Sequence, residues 1–362
     1  MGLMLILGGR HAPSKDTFEV FVCDVPLATT DPIYGRLTLR LALSPGDVTA
    51  KLNDTVTPYF EALSHGLYHP RFVAGATLTM ADDETHDHCV QRAVDASAAE
   101  SGAVMVVATA EHLETEPGGW GRPGTPCVTS FCPARETGRA LYIGASDFHP
   151  DWGTVPAVDL TEHEIGHTLG LPHSGDPTSV DQHASDIDLM SNSASPRTTE
   201  PDRRNGPDTL AINRLALGWL SVGDLAVAAP GGGTYSLLAS TGAPSTAEPV
   251  GHAKRLFLLV LPLPDGSFLT VEYLTANGFN DFLPAAGLAV HRIDQSAAAC
   301  TTASSAAMPC TGPDRVQETL GSPAPHLQLL SKLGASWVTN GWTITVGAVG
   351  ATAQVEVRPS NG

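Results

Sequence analysis

The sequence predicts an α+β protein in two parts. Residues 1–222 are expected to form a twisted mixed sheet around one functional helix, and residues 223–362 an all-β, sandwich-like domain. Three observations predict this. Before residue 222, strand-like apolar runs alternate with stretches of helical period, the pattern of a layered α/β core. After it, only short strand-like runs follow one another between Gly, Pro and Ser turns. Between them lies a polar segment, His163 to His173, with histidines at helical spacing and a glycine where a helix would end.

In chain order, residues 3–8 and 18–23 read as strands. Ser44-Pro45-Gly46-Asp47 opens a helix that carries Val48, Leu52, Val56, Phe60 and Leu63 on one face. Residues 72–80 read as a strand, 88–99 as an amphipathic helix and 103–108 as a strongly apolar strand. A Gly/Pro-rich loop is expected over 114–135 and a strand over 139–145. The next helix begins near Asp159, with Glu162 in a capping-box relation to it. Residues 208–220 read as a further helix ending at or soon after Gly218. Beyond 222, strands are expected at 234–238, 256–263, 268–273, 288–293, 342–346 and 353–357, with a loop over 297–313.

Composition narrows the function classes. The 362 residues are 42% hydrophobic and 16% charged, which marks a globular chain with ample core. A net charge of −18 argues against nucleic-acid and anionic-membrane partners. No run is long and apolar enough to span a bilayer, and a monomer is expected. The opening Met-Gly-Leu-Met-Leu-Ile-Leu lacks a basic region and reads as a strand, so a secreted protein would have lost its leader or start upstream. The six cysteines form no C-x-x-C pair. Two close couples, Cys127/Cys132 and Cys300/Cys310, suggest disulfides and an oxidising compartment. Cys23 and Cys89 then pair over a long range or stay as buried thiols.

His163-Glu164-Ile165-Gly166-His167-Thr168-Leu169-Gly170-Leu171-Pro172-His173 spells H-E-x-x-H-x-x-G-x-x-H. Residues four apart share a helix face, so His163 and His167 can present two imidazole nitrogens to one metal. Glu164 stands beside that metal, where it can take a proton from water. Gly170 can adopt the left-handed conformation that ends the helix and brings His173 back as third ligand. Three protein ligands leave a position for water, the arrangement of a catalytic zinc.

Asp186-Ile187-Asp188-Leu189-Met190-Ser191 follows shortly after. The long histidine motif followed by a methionine turn resembles the metzincin zinc metallopeptidases. The Leu217-Gly218-Trp219-Leu220 helix end and the strands through Glu272-Tyr273 and Val290-His291-Arg292-Ile293-Asp294 resemble the immune-inhibitor-A-type and gametolysin-like group. The resemblance spans most of residues 130–295, is strong only over 163–190 and is weaker elsewhere. It implies a secreted zinc endopeptidase acting on protein or peptide substrates, with Glu164 as general base and Met190 as an apolar floor under the metal. It also implies that the strand before the active-site helix, 139–145, is the sheet edge on which substrate pairs. Position 192 is Asn192, where some members carry a tyrosine. A catalytically silent binding or adhesion protein and a zinc amidase for non-protein amides are the rival readings.

Other constellations are weaker. Asp176, Asp181, Asp186 and Asp188 admit a Ca2+ site, with a solvated loop of turn-forming aspartates as the alternative. Asp176 and His183 are reserve third ligands. His86 and His88 sit among acidic residues that favour a solvated turn. Gly119-Trp120-Gly121-Arg122-Pro123-Gly124 fits a dinucleotide pattern by letter but lacks a following helix and reads as a loop. His291 reads as structural.

Overall fold

A computed structural model describes residues 14–26, 42–110, 118–127, 131–145, 158–175, 183, 185–240, 255–295, 316–320 and 329–360. By internal contacts they group into two compact units: Pro13–Leu171 with Pro196–Gly206, and Pro172–Ser195 with Pro207–Gly362. The composition break at 222 falls inside the second of these. The strand expected at 3–8 and the Cys300/Cys310 couple lie outside the described residues.

The first unit is a five-stranded sheet: β1 (Lys15–Asp24), β2 (His69–Thr79), β3 (Ala103–Ala108), β4 (Gly119–Arg122) and β5 (Ala140–Ile143), in the order β2-β1-β3-β5-β4. The pairs β1/β2, β1/β3 and β3/β5 are parallel, and β4 runs antiparallel to β5. A parallel strand covered on both faces needs no polar alternation, which is why Ala-Val-Met-Val-Val-Ala of β3 is buried throughout. Helix α1 (Pro45–Leu63) is capped by Ser44, whose hydroxyl accepts the Asp47 amide, and it buries Val48, Leu52, Val56, Phe60 and Leu63. Helix α2 (His86–Ala96), capped by Thr85, packs Cys89, Val90, Ala93 and Val94 on the face formed by Phe21, Val104, Val106 and Tyr142. Each such side chain contributes about 1.5–3 kcal/mol on burial. Cys23–Cys89 ties β1 to α2 across a separation of 66 residues, a loop long enough for roughly 4 kcal/mol of chain-entropy stabilisation. Cys127–Cys132 closes the short loop before α3 (Ala134–Thr137).

Two expectations fail here. The Gly/Pro-rich stretch 114–135 is more than a loop, since it contains β4 and the start of α3. The strand at 139–145 is not the sheet edge. β5 lies between β3 and β4 with all four residues buried, and β4 is the outer strand. Polarity explains the misreading: Ala-Leu-Tyr-Ile has the apolar run of an inner strand, whereas Gly-Trp-Gly-Arg lacks strand propensity and is held by pairing with β5.

Helix α4 (Asp159–Thr168), which carries His163 and His167, lies on the sheet face opposite α2, against β4 and β5. The capping box expected at its start is absent. Val158 occupies the cap position without a side-chain bond, and Asp159 instead pairs with Arg197 at 3.0 Å. Glu162 accepts from the Asn205 side chain and, at 2.8 Å, from the Gly206 amide. The carboxylates thus fix the segment 197–206 to the helix rather than closing its first turn.

The second unit begins with β6 (Ser174–Gly175) and continues with α5 (Ala211–Ala216), β7 (Leu225–Val227), β8 (Gly233–Leu238), β9 (Leu258–Pro262), β10 (Phe268–Leu274), β11 (Gly287–Asp294), β12 (Val316–Leu320), β13 (Leu329–Leu330), β14 (Ser336–Thr339), β15 (Trp342–Val349) and β16 (Thr352–Pro359). One sheet has the order β6-β12-β11-β10-β9-β7, with β13 also paired to β11, and the other the order β14-β15-β16-β8. Leu259, Leu261, Leu269, Val271 and Val290 of the first meet Ile344, Val346, Val355 and Val357 of the second in one core, a two-sheet sandwich. On its other face the larger sheet presents Leu258, Val260, Phe268 and Ile293 to α5, which answers with Ala211, Ile212 and Leu215. α5 is shorter than the helix expected at 208–220, because Asp208 and Thr209 turn their side chains to buried hydrogen bonds instead.

Candidate metal centre

The ligand atoms of His163, His167 and His173 all lie within 4.8 Å of one another. His163 and His167 stand one turn apart on α4, edge to face with ring centroids 4.7 Å apart. Gly170, at φ 87°, ends the helix. The Leu171 amide bonds back to the Gly166 carbonyl at 3.0 Å and the Gly170 amide to His167 at 2.9 Å, the paired closure of a Schellman motif. The same turn orients a candidate ligand: His167 Nδ1 donates to the Leu171 carbonyl at 2.8 Å, which makes Nε2 the nitrogen that carries the lone pair.

Glu164 is 4% exposed, and its Oε2 has no hydrogen-bond partner among the described residues. Burial pushes its carboxyl up to about 8, against the pull of the Gly121 amide that donates to it. Three converging imidazoles are a donor set that a metal ion completes, and the buried Glu164 carboxylate follows the first of them in sequence. These residues therefore fit a metal ion.

The sequence reading missed what brings β4 to this helix. A Cβ at Gly121 would stand 2.1 Å from the Glu164 carbonyl oxygen and 3.0 Å from His167 Cβ, and one at Gly119 would stand 3.1 Å from Glu164 Cγ. Residues i and i+2 of a strand share a face, so Gly-x-Gly leaves that face bare and the strand closes onto α4. The signal was present in Gly119-Trp120-Gly121, as strand alternation rather than as a phosphate loop.

A second missed group holds the helix end. Arg139 Nε donates to the Thr168 carbonyl at 3.1 Å, while its other nitrogens bind Asp16 at 2.9 and 2.6 Å. Tyr68 adds its hydroxyl to Asp16 at 2.9 Å.

Beyond the helix, His173 packs its ring on His183 at 4.5 Å, and His183 Nδ1 donates to the Ser191 carbonyl at 3.2 Å. Met190 is buried in a turn closed by Ser191 N to Asp188 O at 3.0 Å, and its carbonyl accepts the Ser174 amide at 2.9 Å. Asp188 is 0% exposed, so the solvated-loop reading fails for it. Its oxygens accept from Ser174, Thr209, Leu210 and Asn213. Asp186 accepts from Asn192 at 2.8 Å, and Asp176 and Asp181 lie outside the described residues. His86 sits against the Tyr142 ring and His88 beside Glu84, so the two point to different partners. His291 is fully buried on β11, where desolvation lowers it to about 3. No helix of the described residues is long and apolar enough to cross a membrane.

No family model matches the chain, and no curated protein matches it. Among solved structures, a chain from "Structure of a chaperone-substrate complex" is similar at 13% identity and a TM-score of 0.27. The alignment covers 57% of this chain and 34% of that one, and a likeness of this size carries no argument.

Proposed function

We propose that the protein is a secreted zinc-dependent endopeptidase of metzincin type. The observation that carries the reading is the convergence of His163, His167 and His173 beside a buried Glu164 whose outer oxygen has no donor among the described residues. His163, His167 and His173 would hold the zinc, which when bound supplies a Lewis acid and a water acidified toward neutral pH. Glu164 takes the proton of the attacking water and delivers it to the leaving nitrogen. The Gly121 amide holds that carboxylate in place, and burial raises its basicity. β4 is the outer strand of its sheet, and an extended peptide adds to it edge to edge, with the bare Gly119/Gly121 face turned to α4. Two disulfides among the described residues suit an oxidising, extracellular compartment.

Digestion of a diverse peptide mixture, read by mass spectrometry, tests this with wild type beside Glu164→Ala. Cleavage is expected to fall by at least ~10²-fold in the variant, with one zinc retained in both, since removal of a general base leaves the ligands intact. Zinc in both without cleavage in either would sink the endopeptidase reading and favour a binding protein. Cleavage of non-peptide amides alone would turn it toward an amidase.

A further inference from the structure

We infer that Asp188 is a positioning residue for the metal centre: through Ser174 it fixes the backbone that carries His173. The inference rests on the metal-centre reading above. His163 and His167 take their places from a helix, but His173 stands on irregular chain and needs its flanking backbone held by other means. On its N-terminal side the Leu171 amide and carbonyl are both engaged, by Gly166 and by His167 Nδ1. On its C-terminal side Ser174 and Gly175 pair with β12, and Ser174 is held in addition by two hydrogen bonds from the 188–190 turn. The Ser174 amide donates to the Met190 carbonyl at 2.9 Å and its hydroxyl to Asp188 Oδ2 at 2.5 Å, with Ser174 and Asp188 both 0% exposed.

Asp188 can serve as a fixed point because it is itself pinned. Thr209 Oγ1 donates to it at 3.0 Å, the Leu210 amide at 3.3 Å and Asn213 Nδ2 at 3.3 and 3.4 Å. The Met190 amide bonds to it as well, so Ser174, Asp188 and Met190 close a ring of hydrogen bonds. An ionised carboxylate offers about four acceptor sites and no donor. An amide in its place would turn a donor toward the Ser174 hydroxyl or the Asn213 amide.

The test is metal affinity of the full chain, measured by zinc competition against a chromophoric chelator and by the visible absorption of bound cobalt(II). Ser174→Ala and Asp188→Asn are expected to weaken both metals about 10- to 100-fold, the usual cost of losing support behind a ligand. Thr270→Val removes a buried hydroxyl that bonds the His291 carbonyl, outside the Asp188 cluster, and is expected to bind within about twofold of wild type. Ser174→Ala binding as tightly as wild type, with unchanged circular dichroism, would overturn the inference. So would equal weakening in Thr270→Val, which marks a purely structural role. Should Asp188→Asn not fold, Ser174→Ala decides alone. Wild type that binds neither metal would instead bring down the metal-centre reading itself.

Discussion

Two buried polar clusters act at the two ends of the histidine motif, and they are built on opposite electrostatic plans. At the helix end, Arg139 and Asp16 form a bidentate ion pair, with the spare donor of Arg139 on the Thr168 carbonyl. Burial pulls the guanidinium down, but the Asp16 charge outweighs it and holds Arg139 above its ordinary value. Beyond His173, Asp188 is surrounded by neutral donors, and burial holds its carboxyl above the usual range despite them. Its unit also buries Asp208, paired with Arg214, and Glu272, whose Oε2 accepts the Ala211 amide and the Ser240 hydroxyl. Arg214 pairs with Asp208 and acts on Glu272 through its charge. The first cluster matches its buried carboxylate with a guanidinium of its own, and the second surrounds Asp188 with neutral donors.

The largest expected effect breaks the compensated side. Arg139→Met leaves Asp16 buried without its counter-ion and the Thr168 carbonyl without its donor. Such a loss costs about 3–5 kcal/mol, seen as a fall in the melting temperature of the first unit. A cost under about 1 kcal/mol would mean that Tyr68 alone satisfies Asp16.

The uncompensated side is sharpened by Glu272→Gln. Burial raises the Glu272 carboxyl from 4.5 to about 7. Between those values the folded state holds the proton and the unfolded state has lost it, so this group's contribution is complete below 4.5 and disappears as pH rises to about 7. The variant lacks this term. Its stability minus that of wild type should therefore climb across the window, on the order of 3 kcal/mol in total. His291 works in the other direction: lowered to about 3, it costs stability as pH falls below the ordinary histidine range, and it is present in both proteins. Parallel curves for wild type and Glu272→Gln would show that Glu272 stays ionised in the folded protein.

The same contrast explains what the sequence disclosed. His163, Glu164, His167 and the Gly170 turn were legible because a helix has a fixed period and its end demands a left-handed residue. Their convergence with His173 was readable from spacing alone. β3 was legible from its unbroken apolar run. By contrast, β4 was hidden because its strand character comes from pairing and its glycines serve close approach, and neither leaves a hydrophobic signature. The Arg139–Asp16 pair joins residues 123 apart in sequence, and no local pattern announces such a partner. Asp188 read as one more aspartate in a polar loop. Its burial depends on Ser174 and on Thr209 and Asn213 arriving from two other segments of the chain. Thr270 and Glu272 interrupt the apolar run of β10 and are buried all the same, since Glu272 turns its carboxylate to the start of α5.

The smallest expected effect lies at the junction between the two designs. Gly170 sits at φ 87°, where an alanine Cβ meets the neighbouring carbonyl, so Gly170→Ala costs about 1–2 kcal/mol. The informative readout is the ring of His167 rather than the melt. If the turn loosens, the Leu171 carbonyl no longer receives the Nδ1 hydrogen bond, and the single Nδ1–H tautomer it selects gives way to a mixture, visible in imidazole nitrogen chemical shifts. A destabilised variant with the tautomer unchanged would show that the backbone at Leu171 is held from the Ser174 side. The polar cluster around Asp188, rather than the helix end, would then set the geometry of the whole motif.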